Sequence, residues 1–176
     1  MLVEDDRRPS TDRKIKTAAA LHRATDLLHG TLDRALVLQL IRTISTALSG
    51  FRDVAIFELD TTRDHLVPVT TLGLEPEQLE SIPLGIGLIG RSTQEGEFYE
   101  RLWEPDAALA SERRLRACIP LMMDSTPIGA IAIFADDLVD QPLDRELFAI
   151  FSRHAGSALY WTGTCERAKA ALNAAW

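Results

Sequence analysis

Leu115-Arg-Ala-Cys-Ile-Pro-Leu-Met-Met-Asp-Ser-Thr-Pro-Ile-Gly-Ala-Ile-Ala-Ile-Phe134 is the most informative stretch of the chain. Two short apolar runs, Leu115 to Met123 and Pro127 to Phe134, flank the polar segment Asp124-Ser-Thr-Pro127. Short, β-branched runs bounded by turn residues read as paired strands, so this is an expected β-hairpin. Further back, Asp53-Val-Ala-Ile-Phe-Glu-Leu-Asp60 has the same texture. Its nearly unbroken apolar character predicts a strand buried on both faces. Thr61 to Asp64 turns into another strand, His65 to Thr71. Pro68 has no N–H to give to a ladder, which predicts an edge or a bulge there.

Around these strands the period becomes helical. Between Arg13 and His29, Ala18, Leu21, Thr25 and Leu28 share one face, and Gly30 supplies a stop. Val37, Ile41, Ile44 and Leu48 form the stripe of a second helix. Thr31 or Asp33 can cap it, and Ser49-Gly50 ends it. Glu75 to Ser81 predicts a short helix with Pro76 in its first turn. Pro83-Leu-Gly-Ile-Gly-Leu-Ile-Gly90 is a Gly-rich loop running into a short helix, Leu88 to Gln94. Glu97 to Leu102 reads as a short strand and Trp103 to Arg113 as a loop.

Asp144 caps a final helix that continues to Trp176, with Leu143 placed to staple against Phe148. Such a helix would be ~50 Å long, beyond the width of a compact domain, so its last third should project or pair. Ala149, Gly156, Gly163 and Ala170 recur every seven residues. They form a small-residue seam for another helix, unless Gly163 simply breaks this one. The expected organisation is a flexible tail (1–12), a domain (13–160) and a helical extension (161–176).

Composition narrows the class. The 176 residues carry 19 Lys and Arg against 26 Asp and Glu, a formal charge of −7, and 46% are apolar. The apolar content excludes dominant disorder. The acidic balance excludes nucleic acid as the expected main partner. No apolar run approaches the ~18 residues of a membrane span, and the first residues lack a secretory h-region. A cytoplasmic location is therefore expected, with Cys118 and Cys165 reduced. No Cys-x-x-Cys or His-x-x-x-His spacing supports a zinc site.

Taken in order, these segments resemble a GAF domain. The likeness rests on Asp53 to Asp60, Ile82-Pro-Leu-Gly-Ile-Gly-Leu-Ile-Gly90, Glu95-Gly-Glu97, and Ile119-Pro-Leu121 followed by Ile128-Gly-Ala-Ile131. It covers about 31–159. The resemblance implies an α+β fold: an antiparallel sheet of five or six strands, with the first and last helices together on one face. Short helices and loops on the other face enclose a small-molecule pocket. It also implies a regulatory, sensory role in signal transduction rather than an enzyme. Expected partners are an unidentified small molecule, a signalling protein or a second copy in a homodimer, with no membrane and no nucleic acid.

The family's ligand subclasses lose support residue by residue. The only Asn is Asn173, so the Asn-Lys signature of cyclic-nucleotide binders is absent. Neither Cys is followed by His, the pair that bilin-binding relatives often use. The histidines, His22, His29, His65 and His154, fall off the expected pocket loops. No cofactor is therefore named. Sulfoxide reductases of this family need several pocket cysteines, and here the sheet offers Cys118 alone.

On the implied fold, Phe57, Ile86, Leu88, Tyr99, Trp103, Arg114, Arg116 and Cys118 are the candidate ligand-binding residues. The aromatics suit stacking or pocket filling, and the arginines suit an anion or local acidic partners. Gly85, Gly87 and Gly90 fit a phosphate cradle in pattern, but no βαβ unit surrounds them. Leu21, Leu28, Gly156, Trp161, Gly163 and Leu172 are the candidate dimer-interface residues. Arg23 and Asp26 match a short R-x-x-D pattern that is common by chance. No catalytic constellation and no metal site are read from the sequence.

Overall fold

The structure, a computed structural model, describes residues 8–101, 110–136 and 142–176. The ordered elements are α1 (Arg8–His29), α2 (Arg34–Ser49), β1 (Asp53–Leu59), β2 (His65–Leu72), β3 (Ile82–Pro83), α3 (Gly87–Glu95), β4 (Tyr99–Glu100), β5 (Leu115–Met123), β6 (Thr126–Phe134) and α4 (Arg145–Ala174). Six strands form one sheet in the order β3-β2-β1-β6-β5-β4, and every pairing is antiparallel. The expected α+β architecture is what forms.

Side chains alternate across this sheet because the strand period is two. Val54, Ile56, Ile119, Leu121, Ile131 and Ile133 bury themselves with residues of α1, α2 and α4. Ala55, Phe57, Ala130, Ala132 and Phe134 point the other way, with Ile89 of α3 among them. The sheet thus has a helix-bearing face and a loop-bearing face. β1 lies centrally between β2 and β6 and is buried on both faces, Val54 and Ile56 beneath the helices and Ala55 and Phe57 in the loop-face cluster.

Local chemistry explains several boundaries. The Asp33 side chain accepts N–H bonds from Ala35 and Leu36, and Gly50 ends α2 with φ 77°. Asp144 accepts from Leu147 at the start of α4. Leu143 and Phe148 join the same buried cluster. Pro68 pairs with Phe57 while Thr70 pairs with Ile56, so the strand bulges there. Met123 pairs with Thr126, leaving a loop tighter than the four-residue segment expected, with Asp124 at φ 52°.

Other boundaries differ from expectation. α1 starts at Arg8, so residues 8–12 of the expected tail are helical, while 1–7 lie outside the described residues. The expected helix after Glu75 is one 3₁₀ turn, Pro76–Gln78, because the chain becomes extended again to pair Ile82 with Leu66. Of the strand expected over 97–102, Tyr99–Glu100 alone among the described residues is a strand, and Leu102 lies outside them. Gly163 does not break α4. Among the described residues no helix is long and apolar enough to cross a membrane.

Candidate functional site

On the loop-bearing face, α3 packs over the centre of the sheet. Ile89 reaches into Phe57, Cys118, Ala130 and Ala132, and Leu66 and Ile82 close the side. Side chains rather than open volume fill this described part of the face. Glycines make the approach workable. A Cβ on Gly90 would lie 2.5 Å from the Pro83 carbonyl oxygen, and Gly85 and Gly87 have φ 82° and 69°.

Glu112 is the residue that sequence reading undervalued. It is fully buried, and its carboxylate accepts the backbone N–H groups of Leu88 (2.9 Å) and Ile89 (2.8 Å). Those donors are the free amides at the start of α3, where a phosphate would bind if the Gly-rich loop were a cradle. The chain's own carboxylate holds that position. In the sequence the only signal is an acid just before a strand.

Four of the candidate ligand residues meet on the loop-bearing face, Phe57 and Cys118 in its buried cluster with Leu88 and Tyr99 packed against it. Phe57 is fully buried and Ile86 is half exposed. Leu88 and Tyr99 line a small groove of about 260 Å³ with Arg91 and Glu95. Burial pushes the Tyr99 phenol above its ordinary value; Arg101 opposes the shift. Trp103 lies outside the described residues. Arg114 binds Asp53 (2.7 Å) and Asp136 (2.5 Å), and these hydrogen bonds hold its charge even more firmly. It fastens the ends of β1 and β6 together.

Arg116 is a correction. The register of β5 shifts between Leu115 and Ala117. Leu115 joins the loop-face cluster and Ala117 the helix-face cluster, so the bulge turns the strand over. Arg116 is fully buried and bonds Glu100 at 3.0 Å, with its guanidinium over the Phe51 ring. Glu100 also accepts the Leu143 N–H. This ion pair ties β4 and β5 to the approach of α4 and takes Arg116 away from the expected pocket mouth.

Cys118 faces the loop side with no exposed surface. Burial pushes its thiol up to about 12, against hydrogen bonds with Ser92 and Thr93 that pull it down. At neutral pH it is therefore a thiol and a poor nucleophile. Among the described residues, no group of three or more His, Cys, Asp or Glu is placed to hold a metal ion.

The candidate interface residues also divide. Leu21 and Leu28 are buried inside the subunit. Gly156 meets the backbone of Met122 in β5, not a helix: a Cβ there would lie 2.4 Å from the Met122 carbonyl oxygen. Gly163 lies beneath the arms of Arg34 and Arg167. Trp161 and Leu172 are more than half exposed. His29 of α1 and His154 of α4 share a 3.0 Å hydrogen bond between ring nitrogens.

No sequence-family description and no curated protein matches the chain. Solved structures do. The GAF domain of a phosphoenolpyruvate-protein phosphotransferase from Coxiella burnetii superposes with a TM-score of 0.70 at 18% identity, covering 89% of this chain and 98% of that one. The chain folds as a GAF domain. Free methionine-R-sulfoxide reductase from Neisseria meningitidis gives 0.69 at 17% identity, covering 82% and 89%. A putative GAF sensor protein from Burkholderia vietnamiensis gives 0.65 at 17% identity, covering 83% and 94%. The structures similar to this chain thus include a putative sensor and an enzyme, and the fold alone does not choose between them.

Proposed function

We propose that this GAF domain is a cytoplasmic regulatory module that binds a small molecule or protein partner and signals through α1 and α4 as a homodimer. The observation that carries this reading is the state of the two terminal helices. They lie together on one face, joined by the His29–His154 contact, and both present unpartnered apolar side chains. Ile15 and Leu27 on α1 and Trp161 and Leu172 on α4 are more than half exposed. A ligand that favours one arrangement of these helices would shift the population accordingly. Multi-angle light scattering tests the dimer, and a concentration-independent monomer rejects it.

Among the described residues, the packed centre of the loop-bearing face favours a second reading, a ligand-free dimerisation or adaptor module. Native mass spectrometry separates the two: a metabolite retained from the expression host supports sensing, and a mass without one supports assembly. A thiol reductase would use Cys118. Its burial and raised pKa predict no reaction with iodoacetamide in the native protein; rapid alkylation would restore the enzyme reading.

A further inference from the structure

A larger hollow opens at the sheet edge, between α4, the end of α3 and the outer edge of β5. Its volume is about 510 Å³, the range of sites for small organic ligands. β4 pairs only with Ala117 and Cys118, so β5 continues past it with its outer side uncovered by any described strand. Phe98, Ile119, Pro120 and Met122 give the hollow an apolar floor. Pro120 has no N–H, so the edge is poorly suited to recruiting another strand.

The wall is α4, and its spacing shapes the hollow. Arg145, Ala149 and Arg153 follow each other at intervals of four and share one helix face. Ala149 is too small to fill the gap between the two long arms, which stand ~12 Å apart along the axis. The charge is unbalanced. Glu100 is engaged by Arg116 at 3.0 Å and by the Leu143 N–H, while Arg145 stands 3.8 Å away and stacks on Phe98. One carboxylate thus faces two guanidinium groups. Arg153 makes no ion pair among the described residues, and Asp124 is the one acid lining the hollow. A net positive groove on a chain of charge −7 is selective for anions by contrast with its surroundings.

From these observations we propose that the α4–β5 groove binds a small amphipathic carboxylate. Its apolar body lies on Phe98, Pro120 and Met122, and its carboxylate sits between Arg145 and Arg153. Such a ligand would brace α4 against the sheet edge. The site shares Phe98 with the smaller groove and reaches Gly96 at the end of α3, but it does not depend on the regulatory reading.

Sodium octanoate is the probe, titrated into the ¹⁵N-labelled full chain and followed by amide chemical shifts. Saturable shifts at Gly96, Met122 and Ala149 are expected, with octylamine and inorganic phosphate giving none. Arg153→Ala and Arg145→Ala should each weaken binding by about tenfold, and Arg153→Lys should keep most of it. Ala149→Leu, at an exposed helix position, should abolish binding without lowering the melting temperature. Absence of saturation, shifts confined to the loop-bearing face, equal binding of octylamine, or arginine variants that bind as well as the parent would each overturn the proposal.

Discussion

The first and last parts of α4 carry the same apolar spacing and meet opposite surroundings. Between Arg145 and Gly163 the helix buries Phe148, Phe151, Ala155, Ala158 and Leu159 against the sheet. From Glu166 onward every residue is exposed, Leu172 and Trp176 included. Two glycines seven residues apart mark the change. Gly156 has strand backbone against it, whereas the nearest atom to a Cβ on Gly163 is a flexible arginine tip at 3.6 Å. The lesson is that a periodic stripe reports which face of a helix is apolar, and the fold decides what covers it.

Substitutions along α4 should grade accordingly. Phe151→Ala, in the fully buried part, is expected to cost about 3–5 kcal/mol in urea unfolding. Gly156→Val pushes α4 off Met122 and is expected to cost about 1–3 kcal/mol by the same measurement. If Gly156→Val leaves the midpoint unchanged, the close packing of α4 on β5 is wrong.

A pH effect should be smaller. His154 is held below its ordinary value of 6.5 by burial first, then by His29 and Arg153. A histidine depressed in the folded state contributes stability that is present above pH 6.5 and lost as the pH falls through its folded value. The melting temperature should therefore decline below pH 6.5, and His154→Gln should flatten that decline.

The outer part of α4 supplies the smallest change in stability. Deleting 168–176 should leave the thermal midpoint of the subunit unaltered while abolishing self-association in light scattering. Gly163→Ala should raise the midpoint slightly, by about 0.5–1 kcal/mol of helix propensity, the opposite sign to Gly156→Val. A shared sign for the two glycines would erase the contrast.

Much of the fold was legible in sequence. The hairpin, the buried β1, the Asp33 and Asp144 caps and the stripe of α2 depend on local spacing, and spacing is visible in a sequence. The candidate site was harder to read because its arrangement depends on events one residue wide. The bulge beside Leu115 sends Arg116 to the helix-bearing face, and no local pattern announces which residue will be the extra one. Glu112 reaches donors 23 and 24 positions away. Gly156 looked like a helix–helix contact because a small residue does not disclose whether a helix or a strand approaches it.

The order β3-β2-β1-β6-β5-β4 has a consequence for how the protein comes into being. β1 meets β2 soon after synthesis, but its other edge pairs with residues up to Phe134. At ribosomal speeds of about 5–20 residues per second, that edge stays open for roughly 4–15 s. An apolar strand left half-paired for so long is a template for the wrong neighbour. The nascent chain is therefore expected to be most vulnerable to aggregation, and most in need of a chaperone, before β6 emerges.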